Sequence, residues 1–133
     1  MPASERRGWS LRGCLMQAFD LGVLLAERER AGKAWLEFLR ASSLSMGVYH
    51  LKAGDADPQQ PHTEDEVYYV VSGRGKFRAG EEVHEAQPGT ILFVQRLVEH
   101  RFYDIIEDLT VLVFFAPAEG SALTLTPRRP NPR

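Results

Sequence analysis

The sequence predicts an all-β domain, a sandwich or barrel of short strands, with one short helix in front of it. Three observations carry that prediction. β-branched and aromatic residues gather in short runs of the length of strands. Gly and Pro punctuate the intervals between those runs. No helical apolar period recurs after residue 40, so the crossover helices of a parallel α/β sheet are missing.

The helix comes first. Asp20 can cap a helix over residues 21 to 30, because its carboxylate can accept from first-turn amides. Leu21, Leu24, Leu25 and Arg28 fall at helical spacing, and Ala31-Gly32 can end it. Such a helix packs outside the barrel or closes one end. Strands are then predicted at Trp35 to Leu39 and Leu44 to Leu51. Gly54-Asp55-Ala56-Asp57-Pro58 excludes regular structure. Val67 to Val71 is strongly β-prone, and Ser72-Gly73-Arg74-Gly75 predicts a hairpin turn into Lys76-Phe77-Arg78. Ala79-Gly80-Glu81 turns again into Val83, and Gln87-Pro88-Gly89 precedes Ile91 to Val94. Residues 99 to 104 and 109 to 115 read as two more strands, with a last one at Leu123 and Leu125 before a Pro-rich tail. The implied organisation is a loose extension over 1–15, a barrel with its helix over 16–118, and a C-terminal strand and tail over 119–133.

Composition narrows the function. The 133 residues, 44% of them apolar, suit one domain with its own core. A formal net charge of −2 argues against the strongly basic face that a nucleic-acid partner favours. Arg6, Arg7, Arg12, Arg128, Arg129 and Arg133 read as solvated tails. The single cysteine, Cys14, excludes an intramolecular disulfide or a multi-cysteine zinc site and fits a reducing compartment. No apolar run is long enough to span a membrane, and no apolar stretch suited to a signal peptide precedes Asp20. The expectation is a cytoplasmic protein with a small-molecule substrate and no nucleic-acid or membrane partner.

The chemistry concentrates in Gly54 to Gly73. In an extended chain, residues at even separation share a face, which would align Gln60, His62 and Glu66 with Tyr68 and Val70. Three polar side chains on an interior face need a partner, and a metal ion would satisfy all three. A fourth donor must come from a distant strand. His100 qualifies, because Val98, His100 and Phe102 share a face. His50 lies on the face of Met46 and Val48 and is the candidate catalytic base, with a barrel-edge histidine as the alternative. Asp57 and Glu64 read as loop charges, Asp57 standing in as a donor if Gln60 turns away. Tyr68 reads as pocket lining, His84 as exposed, and Phe93, Phe102, Phe114 and Phe115 as core, with pocket wall as the alternative.

This pattern resembles the cupin family. The first family motif runs Gly, five residues, His, one, His, three or four, Glu, six, Gly. Gly54, Gln60, His62, Glu66 and Gly73 keep every interval, with Gln60 in place of the first His. The second motif runs Gly, five, Pro, one, Gly, two, His, three, Asn. Gly89 and His100 match it, while Gln95, Leu97 and Asp104 replace Pro, Gly and Asn. The resemblance covers roughly residues 33 to 116. It implies a double-stranded β-helix, or jelly-roll, barrel that is often dimeric, with a divalent metal held by Gln60, His62, Glu66 and His100. Such a mixed nitrogen and oxygen set suits Fe, Mn, Ni or Zn. Glu66 alone would leave a divalent ion a net charge of +1, which favours an anionic substrate such as an enolate, catecholate or carboxylate. Two coordination positions would stay open. These expectations converge on a metal-dependent non-haem oxygenase of a small organic acid or phenolic compound. A metal-dependent isomerase or epimerase and a non-catalytic binding barrel are the alternatives. A homodimer is expected, with Trp35 to Leu39 extending a neighbour's sheet edge.

Overall fold

The computed structural model describes residues 15–124. Helix α1 (Leu21–Ala31) forms where its caps dictate. The Val23 amide donates to Asp20 Oδ1 at 3.1 Å, and Gly32, at φ 67°, donates its N–H to the carbonyls of Arg28 and Glu29. The helix buries Leu24 against Phe38 and Val48, with Phe19 and Leu25 at the margin. Of the two placements expected, it takes the outer face of the sheet. Among the described residues, no helix is long and apolar enough to cross a membrane.

Six strands follow: β1 (Trp35–Arg40), β2 (Ser45–Leu51), β3 (Asp65–Ala79), β4 (Glu82–Ala86), β5 (Ile91–Val94) and β6 (His100–Ala116). Every pairing is antiparallel, in the order β1-β2-β6-β3-β4, with β5 also on β3. The architecture is the all-β jelly roll that the sequence implies.

Two sequence expectations change here. The hairpin at Ser72-Gly73-Arg74-Gly75 does not form. Those residues are register shifts inside the single 15-residue strand β3. Likewise 99–104 and 109–115 are the two ends of the single 17-residue strand β6, bent where Asp104 takes φ 46°. The physical reason is that Gly-rich segments serve bulges as well as turns. Gly73 adopts φ 95°, and a Cβ there would lie 2.1 Å from the Asp108 carbonyl oxygen, so the two backbones touch where the pair bends. One half of the β3–β6 pair joins Glu66 to Phe115 and Val70 to Val111, and the other joins Lys76 to Tyr103 and Ala79 to His100.

The core fills the space that this bend encloses, with Tyr68, Phe77, Phe102, Ile105, Val111 and Phe115 at its centre. Phe93 is exposed, contrary to its reading as core, because β5 turns it to the outer face with Ile91. Where a last strand was expected, Ser121–Thr124 is a 3₁₀ turn, and Leu125 lies outside the described residues. Cys14 and nearly all of the expected N-terminal extension lie outside them too.

Candidate metal centre

Strand β3 carries Glu66 inward, in line with Tyr68 and Val70, all of them buried. His100 opens β6 and is buried as well. Its Nδ1 lies 2.8 Å from the Val98 carbonyl, so that nitrogen donates and Nε2 faces the interior. His62 stands in the loop before β3, where its carbonyl accepts from the Leu97 amide at 2.7 Å. That bond ties the loop of the first motif to the loop of the second. Leu97 holds φ 66°, the left-handed conformation that glycine would adopt freely at the same motif position. The tight turn therefore survives the loss of the motif glycine.

One ligand atom from each of His62, Glu66 and His100 can be chosen so that all lie within 4.8 Å of one another. Glu66 Oε1 is 3.1 Å from His100 Nε2 and 3.6 Å from His62 Nε2. Yet neither Glu66 Oε2 nor His100 Nε2 has a hydrogen-bond partner among the described residues. With the hydrogen on Nδ1, Nε2 has none to donate across the 3.1 Å approach to Glu66 Oε1. A buried polar atom left unsatisfied costs about 1–3 kcal/mol. Two such atoms facing one point fit a cation. Burial opposes protonation of His100, but the Glu66 carboxylate and the Val98 carbonyl outweigh it and raise its pKa. A proton thus competes with a metal for this site.

The structure places Gln60 on the surface. The amide beside the donors belongs to Gln59, whose Oε1 is 3.3 Å from His62 Nε2 and accepts from the Tyr68 hydroxyl at 2.9 Å. Alternation fails because β3 begins only at Asp65, so residues 60 to 64 have no strand period to obey.

Asp57 is buried and organises the loop. It accepts from the Tyr49 hydroxyl at 2.8 Å, from Gln59 Nε2 at 2.7 Å and from the Phe102 amide at 2.9 Å. Glu64 is buried too, accepting from the amides of Gly120 and Ala122 at 3.0 and 3.3 Å and from the Thr63 hydroxyl. Both are loop charges, as read from the sequence, but both are buried, because each carboxylate accepts from backbone amides that no strand ladder satisfies.

His50 faces away from the donors. It shares the outer face with Met46 and Val48, beneath α1, and its Nδ1 lies 3.1 Å from Thr110 Oγ1. The opposite face of β2 carries Tyr49 and Leu51 toward the interior. Strand alternation therefore turns His50 away from the role of pocket base.

A cavity of about 180 Å³ opens beside His62, walled by Trp35, Tyr49, Gln59, Phe115 and Glu119. Trp35, Tyr49 and Glu119 were not singled out from the sequence. A signal for Trp35 exists in Gly47, a glycine inside a strand. A Cβ there would lie 2.2 Å from the indole ring, so the ring needs that gap. Nothing local announces Glu119, which Glu64 brings in from after the last strand. A larger cleft of about 750 Å³, around Asp55, Arg74 and Arg101, touches none of the three donors.

Comparison with known proteins agrees with this geometry. A family model described as a cupin domain matches residues 47–115. The Streptomyces coelicolor protein SCO3923 is 47% identical over 105 residues, 79% of this chain and 100% of that protein. The crystal structure of TT1209 from Thermus thermophilus is similar with a TM-score of 0.66 and 27% identity, over 77% of this chain and 99% of that one. An RmlC-like cupin from Methanocaldococcus jannaschii shares the fold with a TM-score of 0.60 at 16% identity, over 79% of this chain and 94% of that one.

Proposed function

The chain belongs to the cupin family, and from that premise we propose that it is a metal-dependent enzyme of the non-haem oxygenase type, acting on a small molecule. The observation that carries the reading is the convergence of two imidazoles and one carboxylate, with buried donor atoms left unsatisfied. With Gln60 on the surface, the set reduces to His62, Glu66 and His100, the two-histidine, one-carboxylate pattern of oxygen-using iron sites. These residues would hold Fe, Mn, Ni or Zn. When bound, the ion supplies Lewis acidity and, for iron or manganese, electron transfer.

The remaining steps fall to the protein. Tyr68 and Asp57 hold the Gln59 amide beside His62. Trp35, Tyr49 and Phe115 exclude water from the cavity. Burial raises the Glu119 carboxyl pKa, with His62 opposing, which suits Glu119 to take a proton from a bound molecule. That carboxyl also favours a second reading, isomerisation by proton transfer. The organic-acid preference loses support, because among the described residues no Lys or Arg lines the cavity and Glu119 adds negative charge. We propose homodimer formation through β1, which stands at one end of the strand order. Light scattering showing a monomer at micromolar concentration would remove it.

Elemental analysis of protein purified without chelator tests the main reading. About one iron or manganese per chain, with oxygen uptake on a broad panel of small molecules, supports the oxygenase. Turnover without oxygen uptake supports the isomerase. Failure to take up any transition metal overturns both.

A further inference from the structure

Three aromatic rings and one carboxylate dominate the walls of the cavity beside the donors. The Trp35 and Tyr49 rings meet at 70° with centroids 6.4 Å apart, and Trp35 and Phe115 meet at 85° and 6.0 Å. Phe115 also stands at 67° to the His62 ring, at 5.0 Å. Near-perpendicular rings make the corner of a box. The carboxylate at this corner is Glu119, with Oε2 3.9 Å from His62 Nδ1. Asp57 lies behind the Tyr49 hydroxyl at 2.8 Å and leaves that ring more electron-rich. Among the described residues the lining holds no Lys or Arg, and His62, which faces Glu119, would be neutral as a metal ligand. Arg40 passes close by and feels the Glu119 carboxylate through space, but both Glu37 oxygens hold its guanidinium at 2.8 and 3.1 Å, and its hydrogen bond to Glu119 goes to the backbone carbonyl, at 2.9 Å.

Three classes of ligand can be weighed against this box. An anion would meet the Glu119 carboxylate. A neutral apolar group would leave that carboxylate desolvated and unpaired. A cation would be attracted by the carboxylate and would suit an aromatic wall. We propose that the cavity takes an alkylammonium head group. The substrate class is then a small amine or quaternary ammonium compound carrying an oxygen that reaches toward His62, Glu66 and His100. A volume of about 180 Å³ lies below the roughly 300–1,000 Å³ of sites for drug-sized ligands, so the compound is small. This assignment names a substrate for the metal site proposed above and rests on that reading for the oxygen end only.

Isothermal titration of the full chain, metal-loaded and metal-stripped, separates the two ends of the ligand. The probes are choline and 3,3-dimethylbutan-1-ol, its uncharged isostere. Choline is expected to bind at least about fivefold more tightly than the alcohol in the stripped protein. Glu119→Gln should weaken choline about fivefold and leave the alcohol unchanged. Trp35→Leu should weaken choline similarly, with the far-ultraviolet circular dichroism unaltered. Equal affinity for the two probes, binding of neither, or tighter binding of acetate overturns the assignment. If the chain takes no metal yet discriminates choline from the alcohol, the head-group site stands and the metal reading falls. If it takes metal and does not discriminate, the outcome is reversed.

Discussion

Replacing Gly73 with alanine asks for a methyl group where two backbones already touch. The new Cβ would lie 2.1 Å from the Asp108 carbonyl oxygen and 2.7 Å from both the Asp108 carbonyl carbon and Leu109 Cα. All three are backbone atoms, so no side chain can swing aside. A non-glycine residue at φ 95° adds strain of about 1–2 kcal/mol. Moving β6 off β3 to clear the overlap costs about 1–3 kcal/mol more. Alanine offsets about 0.4–1 kcal/mol by narrowing the unfolded ensemble. The net loss is about 1–5 kcal/mol, a large part of the roughly 5–15 kcal/mol that holds a domain together. For a chain of this length it lowers Tm by roughly 4–20 °C. Gly89→Ala is the control, because Gly89 has a similar φ of 91° and nothing within 4 Å of its added Cβ. Urea unfolding of both variants should show the Gly73 change costing about 1–3 kcal/mol more. Equal losses would refute the argument that contact between β3 and β6 at the bend, rather than backbone conformation alone, demands glycine there.

Other outcomes follow from single residues. Gln59→Ala should weaken metal affinity by about tenfold or more, since its amide touches His62, while Gln60→Ala leaves affinity unchanged. A competition assay that reversed this order would restore Gln60 to the site. Leu97→Gly should stabilise the chain by about 0.5–1 kcal/mol, because relief at φ 66° exceeds the added freedom of the unfolded chain. A lower urea midpoint would count against it. Burial, with Arg28 adding to it, depresses the His50 pKa below 6.5, so the unfolded chain takes that proton more readily. Stability therefore falls as pH drops below 6.5, and His50→Gln should flatten that slope. A slope that His50→Gln leaves intact would assign it to other groups.

The sequence spoke clearly wherever a local rule decides the outcome. Asp20 and Gly32 delimit α1 because capping is a matter of neighbouring atoms. The two ends of β3 and of β6 were legible as strands, but not their continuity. Gly73 and Asp104 look like turn residues in a one-dimensional reading and become bends only when a partner strand lies alongside. His62, Glu66 and His100 were legible through the motif intervals. Gln59 is not, because a period of two does not hold over residues that belong to no strand. The burial of Asp57 and Glu64 is not legible, because their partners Tyr49, Phe102, Gly120 and Ala122 are remote in the chain or hidden in its backbone.

The clasp that Glu64 makes on the amides of Gly120 and Ala122 has a consequence for how such barrels diversify. It fastens a stretch of chain beyond the last strand onto the rim, and Glu119 rides on it. Trp35, across the opening, comes from a strand ahead of the stretch that all three donors occupy. Two of the residues that wall the cavity thus sit on either side of residues 47–115, the span that the family model matches. Mutation can redraw the doorway from its flanks without disturbing the furnace behind it.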